Sequence, residues 1–327
     1  KSINKNVFVN KYPKLDSNFL VEELVEGTMI NMFYNKGHWD ISTKSVIGAD
    51  TSFFKSDVSV SFRKMFFDTY LKSGLTYQMF DKRYCYSFVL QHPHNRIVVP
   101  FTEPNLKLIA IYHIETNVDG DFVVKIVDKY KYWSYHLNSS FVQLNNTYET
   151  QSYDILDEKY ASKNTSYDIL GYVVYNTTTG ERMKMRNPNY EEVKKLRGNQ
   201  TKLQFQYLYL RSQGKVKDYL KYYPESKQAF SKYRDDVHRF TSNLYTNYRN
   251  CYVKKEKPLK KYEKQFRTHM YHIHKLFLTN LKEKNKFVDI NMVIKYVNNM
   301  KPDHLMYSLN FHHRNKTIDE TYYEVSV

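Results

Sequence analysis

Glu22-Glu23-Leu24-Val25-Glu26-Gly27-Thr28-Met29-Ile30 reads as one strand, a tight turn holding an acid and a glycine, and an apolar strand that follows. Further segments of the same texture lie downstream. Trp39-Asp40-Ile41-Ser42-Thr43-Lys44 is a short alternating strand, and Tyr84-Cys85-Tyr86-Ser87-Phe88-Val89 is another, closely followed by Pro93-His94-Asn95-Arg96-Ile97-Val98. Later come Leu170-Gly171-Tyr172-Val173-Val174 and Arg182-Met183-Lys184-Met185-Arg186, with Tyr190 beyond.

In this order these segments resemble the motifs of the T4-type RNA ligase family of covalent nucleotidyltransferases. The first resembles its Lys-x-(Asp/Glu)-Gly turn, the second its Thr-(Lys/Arg) strand. The next pair is similar to Phe-Glu-Phe-Val and Pro-x-Asn-Arg-Ile-Val, and the last two to Glu-Gly-Tyr-Val and the closing Lys-x-Lys. The Asn95-Arg96-Ile97-Val98 string is the most specific of them. The resemblance covers roughly residues 1–195, and strings such as Glu26-Gly27-Thr28-Met29-Ile30 look like RNA-ligase-like proteins of large DNA viruses.

The departures fall on chemically demanding positions. Leu24 stands where the family carries the lysine that attacks the nucleotide α-phosphate, and an aliphatic side chain is no nucleophile. Ser87 and Leu170 stand where carboxylates help hold a catalytic metal. The nucleotide- and phosphate-binding positions that the resemblance implies are Glu26, Lys44, Arg96, Lys184 and Arg186. Binding a phosphate needs charge and donors but no bond making. The expectation is therefore a pseudoenzyme with no catalytic residue, no metal and no cofactor. It would bind RNA at a 5′ end or mRNA cap, since the family's cleft is shaped for a purine nucleotide.

Composition agrees with an anionic partner. Lys and Arg total 50 against 34 Asp and Glu, a formal net charge of +16, and 32 tyrosines offer stacking surfaces for unpaired bases. A genome rich in A and T also produces such tyrosine counts. Hydrophobic residues make up 41% of 327, enough for one large or two medium domains. No apolar run is long enough to cross a membrane, and the first residues, Lys1-Ser2-Ile3-Asn4-Lys5-Asn6, lack an apolar signal core. Lys1 in place of Met leads to the expectation of a trimmed start. Cys85 and Cys251 are too far apart to read as a disulfide framework, which fits a reducing cytoplasm, either a host's or a viral factory.

The texture changes near residue 195. Before it lie β-branched runs such as 107–112 and 122–127; after it, apolar residues recur at helical spacing, as in 203–210 and in Phe230, Tyr233, Val237, Phe240 and Leu244. The expected fold class is α+β: an antiparallel-sheet nucleotidyltransferase core over 1–195 and a basic all-helical domain over 196–327. Short helices are expected over 292–297 and 305–311, before a polar tail.

Lys254, Lys255, Lys257, Lys260, Lys261, Lys264 and Arg267 crowd one stretch between two helices, with Lys257, Lys260, Lys261 and Lys264 on one face if the stretch is helical. They are candidates for an RNA backbone track. A solvated lysine face is the plainer reading. His269, His272 and His274 lack the acids or cysteines that would complete a metal site. Two further readings stay open: an active ATP-dependent RNA ligase with a displaced nucleophile such as Lys14 or Lys36, and a structural subunit docking protein partners of a viral or host RNA complex.

Overall fold

The computed structural model describes residues 2–53 and 60–314. The chain divides into two units, Lys1–Arg197 and Gly198–Val327. The polar tail expected after residue 311 lies, from residue 315 onward, outside the described residues.

In chain order the first unit holds α1 (Lys5–Lys11), β1 (Phe19–Glu23), β2 (Thr28–Asn35), β3 (His38–Ser42), α2 (Phe62–Lys72), β4 (Tyr84–Gln91), β5 (Asn105–Thr116) and β6 (Phe122–Val127). It continues through α3 (Lys129–Tyr132), β7 (Gln143–Leu144), β8 (Thr147–Tyr148), α4 (Tyr153–Tyr160), β9 (Gly171–Asn176), β10 (Arg182–Arg186) and α5 (Pro188–Arg197). The strands form two sheets. One is antiparallel, ordered β10-β9-β1-β8; the other runs β3-β2-β4-β5-β6 in antiparallel pairs, with β7 alongside β5 in parallel.

Alternation assigns the faces. On the smaller sheet Val21, Val174 and Met183 are cross-strand neighbours and pack with Phe8 of α1 and Leu156 of α4 in one core. Glu22, Val173 and Lys184 are the neighbours pointing the other way. On the larger sheet Ile30, Met32, Phe88, Leu90, Leu106 and Leu108 bury against α2. The helices α1, α2 and α4 interrupt a region whose sequence reads as sheet. For α2 a local signal existed: the Ser61 side chain accepts from the Lys64 N–H, and Met65, Phe66, Thr69 and Tyr70 form one buried stripe.

The second unit is helical: α6 (Leu203–Ser212), α7 (Val216–Tyr222), α8 (Lys227–Tyr248), α9 (Lys264–Asn280), α10 (Ile290–Asn298) and α11 (Pro302–Leu309). Phe230, Val237, Phe240 and Leu244 are buried along α8, the stripe that the spacing predicts. The basic stretch corrects one expectation. After α8 come a wide turn over Arg249–Val253 and irregular chain to Pro258, then a single tight turn over Leu259–Lys261, so Lys257, Lys260, Lys261 and Lys264 share no helical face. Pro258 supplies no N–H and breaks any helix there.

Candidate functional site

The turn between β1 and β2 is the hub of the first unit. The Leu24 N–H donates to the Gly171 carbonyl and the Asn187 N–H to the Leu170 carbonyl, so the backbone brings Leu24, Leu170, Gly171 and the end of β10 together. Two glycines make this approach possible. At Gly171 (φ +136°) an added Cβ would lie 2.1 Å from the Met185 carbonyl oxygen, and at Gly27 (φ +146°) 2.5 Å from that of Leu90. Ser87 lies farther along the sheet: it is opposite Asn31 of β2, and its hydroxyl donates to Asn31 Oδ1 at 2.6 Å.

Glu26 is buried, and its carboxylate accepts from the Val98 N–H at 2.9 Å and the Val99 N–H at 3.0 Å. Burial pushes its pKa up, opposed by those amides and by the Tyr190 hydroxyl, with which it shares a hydrogen bond. Asn95 Nδ2 donates to Thr28 Oγ1 at 2.7 Å, and Arg96 Nε to the Val98 carbonyl at 3.0 Å. The Asn-Arg-Ile-Val string is thus the brace of the Glu26–Gly27 turn. Glu26, expected at the nucleotide, has its oxygens engaged by Val98, Val99 and Tyr190.

Alternation along β10 sets Lys184 and Arg186 opposite Met183 and Met185, which pack into the core. Lys184 is exposed, and Arg186 Nη1 lies 2.8 Å from Glu191 Oε1. Lys44 is exposed in the turn after β3. Among the described residues neither Lys44 nor Lys184 has an acidic partner. Of the lysines considered as displaced nucleophiles, Lys36 lies in the turn closing β2 and β3, a full eight-residue strand from Gly27. Lys14 precedes β1, whose far end leads to Leu24.

Sequence reasoning missed a pair of ion clusters on β1. Glu22 is held by Lys129 at 2.8 Å, by Asn145 and by the Tyr130 hydroxyl, and Glu23 pairs with Lys107 and Asn146. Burial drives the Lys129 pKa down, while Glu22 pulls it back up. The available signal was two adjacent glutamates in a strand otherwise apolar.

In the second unit Lys254, Lys255, Lys257, Lys260, Lys261 and Lys264 are all exposed. Lys257 Nζ lies 4.4 Å from the centroid of the Tyr262 ring, and Arg267 Nε donates to the Tyr262 carbonyl. His269 serves packing: Nδ1 is 2.9 Å from the Tyr296 hydroxyl and Nε2 2.9 Å from Ser308 Oγ, and burial lowers its pKa to about 4. His274 stacks on Tyr252 at 3.9 Å. Among the described residues no group of His, Cys, Asp and Glu is arranged for a metal ion, and no helix is long and apolar enough to cross a membrane.

No protein-family profile matches the chain. Over 103 residues it is 34% identical to the RNA ligase of Rhodothermus phage RM378, a match spanning 29% of this chain and 23% of that protein. Among solved structures, Naegleria gruberi RNA ligase with pyrophosphate aligns with TM-score 0.38 and 10% identity over 53% of this chain and 50% of that one. A variant of that ligase with ATP and manganese aligns with TM-score 0.38 and 10% identity over 54% and 51%.

The chain is a homologue of RNA ligase over that partial stretch, and a phage relative fits the expected viral origin. Its architecture is α+β, a largely antiparallel-sheet first unit followed by a helical second one. The expectation of a non-enzyme is corrected by the same finding: the sequence relative is an RNA ligase, so the similarity ties the chain to an enzyme.

Proposed function

We propose that the protein binds RNA at a 5′ end, capped or phosphorylated, through the first unit's Lys44, Arg96, Lys184 and Arg186, and tracks the strand with the lysines of 254–264. The observation that carries this reading is the exposed Lys184, without an acidic partner among the described residues, beside Arg186 on the face of β10 opposite the core, in a chain homologous to an RNA ligase. A guanidinium or ammonium on a strand face meets phosphate oxygens with charge-assisted hydrogen bonds. Two free cysteines, Cys85 and Cys251, support a reducing cytoplasmic setting.

Fluorescence anisotropy with otherwise identical RNAs carrying capped, monophosphate or hydroxyl 5′ ends tests it. Native protein discriminates the ends, and Arg96→Ala with Lys184→Ala removes the discrimination while leaving general RNA affinity. Equal affinity for all ends in the native protein overturns the reading.

The named relative favours a second reading, RNA ligation by this chain itself. Since position 24 is leucine, covalent nucleotide would sit on another lysine. Intact-mass measurement after incubation with ATP and magnesium decides it: a gain of one nucleoside monophosphate supports ligation, and an unchanged mass removes this route.

A further inference from the structure

Helices α6, α8, α9 and α11 of the second unit surround a cavity of about 500 Å³, inside the range of roughly 300–1,000 Å³ common for small-ligand sites. Five side-chain amides line it: Gln204, Asn243, Asn247, Gln265 and Asn310. Phe240 and Phe266, stacked 5.4 Å apart, make its apolar floor.

The amides are in two states. Gln204 and Asn310 bind each other reciprocally, at 3.2 and 2.8 Å, which fixes one wall. Gln265 Nε2 donates to the Ser308 carbonyl at 2.8 Å, leaving its Oε1 as an acceptor. The side-chain amides of Asn243 and Asn247, one turn apart on α8, one exposed and one half-buried, have no protein hydrogen-bond partner among the described residues. The cavity therefore presents planar groups with a donor and an acceptor side by side.

Charge narrows the ligand class. Asp236 and Glu263 line the same cavity and disfavour an anion inside it, while Arg239 is already paired with Asp236, and His312 lies 3.4 Å from Glu263. A neutral, flat group with donors and acceptors on its edge fits, and a nucleobase is one. The chain leading into Glu263, Gln265 and Phe266 carries exposed Lys260, Lys261 and Lys264. Phosphates belong on that segment, next to a neutral pocket.

We propose that this cavity takes one unpaired base of an RNA strand whose phosphates follow the lysines of 260–264, an inference that rests on the RNA-binding reading above. Protein surfaces also use amide-lined cavities, so the test separates bases from everything else.

The probe is a short single-stranded RNA of mixed sequence, compared with the same strand bearing abasic sites, bound to native protein and to the double variant Asn243→Ala, Asn247→Ala. Alanine favours helix at both positions, so the variant keeps α8. The expected result is about tenfold weaker binding of the intact RNA by the variant, with the abasic strand unaffected. Unchanged affinity for the intact RNA overturns the pocket while leaving the phosphate track standing. Should the native protein bind no RNA at all, titration with the four free nucleosides decides the pocket separately. Shifts in the Asn243 and Gln265 side-chain amide resonances sustain it, and their absence overturns it.

Discussion

Lys129 Nζ lies 2.8 Å from Glu22 Oε1 and 3.0 Å from Oε2, and both side chains are buried, at 8% and 1% exposure. The pair joins β1 to α3, so two elements far apart in sequence are held by one charge contact. Removing one partner leaves the other charged in a dry site, which costs far more than the pair itself contributes. Lys129→Met is therefore expected to destabilise the first unit by about 3–5 kcal/mol. Glu22→Leu with Lys129→Met recovers a large part of the loss. Urea denaturation of the three proteins checks this, and a double variant as unstable as the single one would contradict it.

Glu26→Ala deprives the Val98 and Val99 amides of their acceptor. Hydrogen bonds to a charged group contribute about 1.5–3 kcal/mol each, and a loss of about 3 kcal/mol is expected, read as a lowered urea midpoint. Faster hydrogen exchange at those two amides is the local signature.

Gly171→Ala places a methyl 2.1 Å from the Met185 carbonyl at a φ of +136°. Backbone must move to accept it, and the expected cost is at least about 2 kcal/mol. A melting temperature equal to the native one would show that β9 and β10 can part without loss.

Acid should weaken the second unit through His269. Its pKa falls from an ordinary 6.5 to about 4, lowered by burial first and by the nearby His272 and His304. Between those values the unfolded chain binds a proton that the folded chain refuses, so stability falls as pH drops through this window. At pH 5 the expected loss against pH 8 is about 2 kcal/mol. His269→Gln, which cannot titrate, should flatten the dependence in a series of denaturation curves.

Neutralising Lys257, Lys260 and Lys261 to Gln should weaken binding of every RNA alike. The slope of log affinity against log salt should shrink by about 2, since each phosphate contact on a single strand contributes roughly 0.7. An unchanged slope would move these lysines from an RNA track to a protein-docking or solvated face.

Much of this was written in the local sequence. Strand alternation, the shift to helical spacing after residue 195 and the Asn-Arg-Ile-Val string are properties of neighbours along the chain, so β1, β4, β9 and β10 and the buried stripe of α8 were legible. The identity of Leu24 was legible for the same reason. What the sequence could not show is which distant groups meet. Glu22 with Lys129, Glu26 with Val98 and Val99, and the amides of Asn243, Gln265 and Asn310 are brought together only when the sheets and helices pack. The basic stretch shows the limit in reverse. Its lysines are periodic enough for one helical face, yet Pro258 and the tertiary path break the helix, because local spacing places side chains only while the backbone stays regular.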